Sequence, residues 1–334
     1  MNDIERRVRA ANPNPIPVRG AVSPRSEEEL SALLASAPHP APRPASRRPR
    51  RRIGTAWVTA IAAVLVFVTV IVAGNVTDRP APSAAFAPPL LTSVPIDGTT
   101  GEILNALSSS ASDIRMDDAE DERTVVYESW SAQITMEEDT VLDMYVQPQE
   151  TRRTWSDDLS GSIVSRAGAV KWGTAAPDSA AAKPGTIILG EDFEPGTYPT
   201  FFVTPPPATV EEMRSYLAAP FGLGEQSTSG EWFKAINDLR VDWPLDRDQN
   251  SAILQLIATL PDVTVAGAVT DRLGRSGVAV QTETRTEGNF RYVLVFDSAT
   301  GLLISSEFVY LGGLTDISLP AMTVLDYTAW KDDD

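Results

Sequence analysis

The chain has 334 residues, one histidine, no cysteine and a net charge of −17 from 28 Lys/Arg against 45 Asp/Glu. Without cysteine it has no disulfide, no thiol nucleophile, no thiolate metal site and no lipid-modified cysteine anchor, so a folded part must stand on its hydrophobic core. The acidity repels nucleic acid and anionic surfaces, which excludes a nucleic-acid role for the bulk of the chain.

Residues 1–52 carry 11 arginines against 5 carboxylates, a net of +6, while the remainder carries 17 basic against 40 acidic groups, a net of −23. This first stretch reads as a basic, Pro-rich tail. Ile4 and Val8 lie one turn apart before Pro13, Pro15 and Pro17 stop any helix. From Ser26 to Ala37, Ser26 and Glu29 have capping-box spacing and Leu30, Leu33 and Leu34 share a face. Such a segment is too short to hold a helix alone in water, and it suits folding against a cytoplasmic protein partner or remaining a plain tail. Pro38–Pro49 is a stiff linker by composition and holds His39.

Ile53–Gly74 has no ionisable side chain over twenty-two residues. At ~1.5 Å per residue a helix of that length reaches ~33 Å, enough to cross a ~30 Å hydrocarbon layer. Arg47, Arg48, Arg50, Arg51 and Arg52 flank its start. Positive charge is retained inside, so the expectation is a single-pass cell-membrane protein with a cytoplasmic N-terminus and an extracytoplasmic C-terminal domain, its anchor flank drawn to the lipid bilayer. The competing reading is a cleaved signal peptide ending at Ala85-Phe86-Ala87, but the apolar run is too long and starts too late for that. Residues 75–95 read as a Pro/Ala linker and 96–334 as one α+β domain.

That domain opens with a helix near Thr100–Ala111, where Ile103, Leu104 and Leu107 share a face. Strand-like runs follow at Thr124–Thr135, Val141–Gln149 and Ser162–Trp172, then a long loop to Pro207 with one short strand at Thr186–Leu189. Thr209 and Glu212 have capping-box spacing before Met213, Tyr216 and Leu217. Two further apolar stripes, Trp232/Phe233/Ile236/Leu239 and Ile253/Leu254/Ile257/Leu260, predict two more helices. Five strands end the chain: Val263–Val269, Gly277–Glu283, Phe290–Phe296, Leu302–Tyr310 and Ala321–Trp330. Their short connections make neighbours antiparallel. The predicted fold is therefore α+β: one transmembrane helix followed by a curved antiparallel β-sheet with helices on one face.

At Leu260–Gln281 (LPDVTVAGAVTDRLGRSGVAVQ) and Phe296–Glu307 (FDSATGLLISSE) the sequence resembles a family of actinobacterial single-pass membrane proteins with no assigned activity. Its pattern is a helix ending in Leu-Pro-Gly-Val, a strand, Asp-x-x-Gly-Arg, a Gly-Val-Ala-Val strand and an Asp-x-x-Thr-Gly hairpin. Asp271, Gly274, Arg275, Gly277, Val278, Ala279, Val280, Asp297, Thr300 and Gly301 match it, and Asp262 stands where the family has glycine. The resemblance implies a short cytoplasmic tail and a large outer domain. In layout it is similar to membrane regulators that pair with sigma factors and to the half-open barrels of LolA and RseB. The matched glycines and aspartates are expected to form and close turns.

With its one histidine on the cytoplasmic side, the outer domain has no Ser-His-Asp triad, and no P-loop, dinucleotide or calcium-loop pattern is present, so no cofactor is implied. The paired carboxylates Asp117/Asp118, Asp121/Glu122, Glu137/Glu138/Asp139 and Asp157/Asp158 fall between strands, where solvated turns are expected. The expectation is an anchored extracytoplasmic binding or sensing protein without catalysis, meeting an outer ligand or protein. The alternative is an anchored carrier of a lipid or apolar ligand on the concave side of the sheet, with an inert tail.

Overall fold

The structure, a computed structural model, describes residues 71–72, 88–111, 122–137, 140–173, 181–283, 289–313 and 319–331. All belong to the compact unit Thr59–Asp334, and the unit Met1–Val58 lies outside the described residues. Arg47, Arg48, Arg50, Arg51, Arg52, His39 and the capped segment Ser26–Ala37 therefore lie outside them too. Among the described residues no helix is long and apolar enough to cross a membrane. Of the expected span only Ile71–Val72 (β1) is described, and there the chain is a strand rather than the end of a helix. Two successive β-branched residues suit an extended backbone, and they pair in parallel with the edge of β3 (Gln133–Glu137) at Thr135 and Met136.

Four helices and a nine-stranded sheet make up most of the described chain. Helix α1 (Thr100–Ser110) starts from a reciprocal capping box in which the Thr99 hydroxyl accepts from the Glu102 N–H and the Glu102 carboxylate accepts from the Thr99 N–H. Strands β2 (Glu122–Ser131), β5 (Gln149–Ser156), β6 (Gly161–Ala167) and β8 (Ile187–Phe193) form one half of the sheet. Helices α2 (Val210–Phe221), α3 (Ser229–Asp242) and α4 (Arg247–Ala258) follow, capped by Thr209, Thr228 and Asp246. The five expected C-terminal strands form within a residue or two of their predicted limits: β9 (Val263–Thr270), β10 (Ser276–Thr282), β11 (Phe290–Asp297), β12 (Leu303–Tyr310) and β13 (Thr323–Lys331).

The sheet runs β8-β6-β5-β2-β13-β12-β11-β10-β9, antiparallel throughout. Its two meanders join where β13 pairs β2, setting Tyr327 opposite Trp130 and Trp330 opposite Tyr127. After Ser131 the chain bends at Ala132 into β3, which with β4 (Thr140–Val146), β7 (Trp172–Gly173) and β1 makes a second, four-stranded sheet. The expected single strand Thr124–Thr135 is thus two. Strand β5 was not predicted at all. Its inward positions are Thr151, Arg153 and Trp155, and two polar residues on the buried face hide the alternation that marks a strand.

Helices cover one face of the large sheet, as expected. Leu104, Met213, Leu217, Phe233, Ile236, Ile253 and Ile257 interdigitate with Trp155, Val280, Leu294, Phe296 and Trp330 in one core. Burial on the second face exceeds the prediction. Met144, Ile134 and Val146 of the small sheet pack on Phe308, Tyr310, Val324 and Tyr327, and Leu91 lies over Val269, Ala279, Val293 and Val295. Strand β12 is therefore buried at every one of its positions, Ser305, Ser306 and Glu307 included.

Candidate functional site

The β9–β10 turn is built by Asp271 and Gly274. Gly274 takes φ 85°, a left-handed conformation that a side chain disfavours. The Asp271 carboxylate accepts the Leu273 and Arg275 N–H groups at 2.9 and 2.8 Å, closing the turn through its own backbone as the sequence led us to expect. Arg275 adds what the sequence did not disclose. It donates to Asp271 at 2.6 Å, to the Trp330 carbonyl at 2.5 Å and to the Ile304 carbonyl at 2.8 Å, so the turn is clamped to β12 and β13. Asp297 acts likewise at the next hairpin, accepting from Ala299 and Thr300, while Gly301 takes φ 67°.

A fixed turn fixes Arg272, whose guanidinium lies across the second face of the sheet. Its Nε donates to Glu307 Oε1 at 2.6 Å and its Nη2 to the Pro89 carbonyl at 2.9 Å. Trp130, Trp172 and Tyr327 surround it with ring centroids 5.6–5.7 Å from the guanidinium carbon, within cation–π reach. Burial pushes the Glu307 carboxyl above the usual range, with the attraction of Arg272 opposing and Asp271 adding to the rise. The Trp130 Nε1 and Tyr327 hydroxyl, two of the rings in this cage, are buried with no hydrogen-bond partner among the described residues. Orphaned polar atoms of that kind normally meet a water or ligand.

Beside the cage is a cleft of about 520 Å³ lined by Pro89–Thr92, Trp172 and Thr270–Arg272. One wall is the segment Pro88–Pro95, which composition alone marks as linker. It lies on the sheet because Leu90 and Leu91 find apolar partners there and because Val94 exchanges two 2.8 Å backbone hydrogen bonds with Ala268 on β9. Gly267, at φ 130°, makes that approach feasible, since a Cβ would sit 2.2 Å from the Val94 carbonyl oxygen. The cleft offers apolar walls from Leu90, Leu91 and Trp172 and polar groups from Thr92, Thr270 and Arg272. Its volume falls in the range of small-ligand sites, ~300–1,000 Å³.

Two other polar clusters lie in the interior. Arg153 on β5 and Asp242 at the end of α3 pair at 2.9 Å, with Tyr198 accepting from Arg153 at 3.0 Å and Thr200 donating to Asp242 at 2.7 Å. Next to them Arg123 is sandwiched between Trp155 and Trp243 at 4.5 and 4.4 Å. Under α3, Asp326 accepts from Ser131 at 2.6 Å, Ser306 donates to Asn237 at 2.6 Å and Asp238 pairs Lys234 at 2.5 Å. Burial raises the carboxyls of Asp242 and Asp238 and brings Asp326 to about 6. Each of these acids is tied to a structural partner inside the helix–sheet interface, a setting that perturbs carboxylates without catalysis.

Of the acidic pairs singled out from sequence, Asp157/Asp158 is the one with both side chains among the described residues. Asp117, Asp118, Asp121, Glu138 and Asp139 lie outside the described residues, and Asp157 and Asp158 occupy an exposed turn, Asp157 paired with Arg123 and Asp158 capping Ser160. Among the described residues no group of three or more His, Asp or Glu is placed to hold a metal ion. The residues that do converge, Arg272, Glu307, Trp130, Trp172 and Tyr327, were missed. They come from four separate strands and a turn, and the one local signal was an arginine next to the turn-closing Asp271.

No protein-family model and no curated protein matches the sequence. Among solved structures, the chain is similar to the MucA/MucB complex of Pseudomonas aeruginosa at 12% identity and TM-score 0.21, covering 69% of this chain and 55% of that one. It is also similar to a DUF1329-family protein from Desulfovibrio piger (10% identity, TM-score 0.18, 70% and 90% covered) and to a LolA-superfamily protein from Nitrosomonas europaea (8% identity, TM-score 0.18, 71% and 93% covered). Likeness of this degree carries no argument about function.

Proposed function

We propose that the chain is a binding or sensing protein without catalysis, anchored in the cell membrane by the part of the apolar run Ile53–Gly74 that precedes β1, with its arginine-flanked N-terminus inside and its α+β domain, β1 included, outside. Its ligand site is the cleft between the Pro89–Thr92 wall and the Arg272 cage. The observation that carries this reading is the identity of the wall. The segment that closes the cleft is the one that leads back toward the predicted anchor, so a ligand wedged against Leu90 and Leu91 works on the tether directly. The lining suits an amphiphile, with an aromatic or aliphatic body against Trp172 and a polar end toward Thr92, Thr270 and Arg272. Residues 1–52 are left to meet the inner bilayer surface and a cytoplasmic protein.

A carrier site beneath the helices would need room on the helix-covered face. That face is filled by Trp155, Trp330, Phe233, Phe296 and Ile236, all under 2% exposed, which speaks for the cleft on the opposite face instead.

Two measurements on the full chain test the proposal. Protease added outside intact spheroplasts should digest the C-terminal domain and spare residues 1–52; a domain released into the medium would refute the anchor. For the cleft, the probe is anilinonaphthalene sulfonate, an anionic aromatic dye, followed by amide exchange. Binding should alter exchange at Leu90–Val94 and weaken in Trp172→Ala. Dye binding that ignores Trp172 and leaves this segment untouched would refute the site.

A further inference from the structure

The two edges of the large sheet are treated differently. At one edge, β9 is covered by Val94 through the two-bond bridge to Ala268. At the other, β8 has β6 as its one sheet neighbour among the described residues, and six of its seven residues are exposed. Three consecutive apolar side chains stand there, Ile187 at 52%, Ile188 at 46% and Leu189 at 38% exposure. A β-bulge opposite Ser165 and Arg166 interrupts the register, so they do not simply alternate between a covered and an open face. Proteins ordinarily blunt an edge with charge or proline along its length, because its free N–H and C=O groups template pairing with another strand.

Charge is present on this edge, but it is divided by sign between the two ends. Exposed Lys183 and Arg166 flank the Ile187 end, and exposed Glu191, Asp192 and Glu194 flank the Phe193 end. An edge that is positive at one end, apolar in the middle and negative at the other is complementary to itself when a second copy runs antiparallel. Centred near Ile188, such pairing sets Ile187 of one copy opposite Leu189 of the other, packs the two Ile188 side chains at the axis, and brings Lys183 alongside the second copy's Asp192, with Arg166 one strand further in. A parallel arrangement would instead bring like charges together.

We infer that β8 is a homodimer interface, an isologous two-fold contact that joins two nine-stranded sheets edge to edge through antiparallel β8 strands. Its short length makes the dimer a reversible one, with charge setting register and partner choice.

The native absence of cysteine makes the test clean. The full-length chain in detergent micelles is followed by sedimentation over a concentration series, and single-cysteine variants from Thr186 to Gly190 are oxidised. Antiparallel neighbours place Cα atoms ~4.5–5.5 Å apart, which a disulfide spans. Ile188→Cys should therefore cross-link two chains, while Val203→Cys, more exposed but off the strand, should not. Asp192→Lys and Lys183→Glu should each weaken the dimer by about tenfold, or ~1.4 kcal/mol, and their combination should restore it. These residues are exposed, so folding is unaffected. A chain that stays monomeric at the highest concentration, a dimer that cross-links at Val203 and not within β8, or a monomer whose Leu189 amide is protected by another segment of its own chain would each overturn the inference.

Discussion

Asp326 gives the sharpest quantitative expectation. It lies on β13 beneath α3, where burial raises its carboxyl from 3.8 to about 6, with the Ser131 hydrogen bond opposing, Asp238 adding and Lys234 opposing. Between those two values the native state holds a proton that the unfolded chain has released. Stability contributed by this group is therefore complete below pH 3.8, falls as pH rises through the window and is fully lost above about 6. The two values imply a penalty of at most ~3 kcal/mol above the window, at ~1.4 kcal/mol per pH unit. The side chain keeps some contact with water, so we expect ~1–2 kcal/mol to be realised. Asp326→Asn keeps an acceptor for Ser131 and removes the charge. It should match the parent near pH 4 and exceed it above pH 6, raising Tm by ~2–4 °C per kcal/mol in a domain of this size. Urea or thermal unfolding at stepped pH is the assay. An asparagine variant that is less stable at neutral pH, or whose gain does not change with pH, would refute the reasoning.

Arg272→Ala should cost ~3–5 kcal/mol in urea denaturation, because it strands the buried Glu307 carboxylate without its cation, whereas Arg272→Met combined with Glu307→Leu should recover most of that loss. Asp262 sits at φ 56°, so Asp262→Gly should be neutral or stabilising by up to ~1 kcal/mol, and Asp262→Val should lower stability by ~1–2 kcal/mol in the same measurement.

Much of the fold was legible because it is written in local patterns. The C-terminal meander could be read from alternation and from turns whose residues have one backbone use. Asp271, Gly274, Asp297 and Gly301 all do what their types suggest, and the glycine that the resembled family carries at position 262 fits the left-handed backbone found there. Helices α2 to α4 announced themselves through apolar stripes, and α2 also through its Thr209 cap. Strand β5 escaped because Arg153 on its inner face makes sense only once Asp242, far along the chain, has been brought against it.

The candidate cleft belongs to the same class. Pro89–Thr92 looks like spacer by composition, Arg272 like one more turn residue and Trp172 like the end of a strand. Sequence by itself determined the α+β class, the C-terminal strand order and the absence of cysteine chemistry, since these depend on periodicity, turn stereochemistry and residue type. Only the tertiary structure decided that the sheet is buried on both faces, that four acids sit raised in its interior and that one edge is covered while the other, among the described residues, has no second neighbour. Those outcomes depend on which surfaces meet across long separations in the chain, and hydrophobic and electrostatic contacts of that kind leave no local trace.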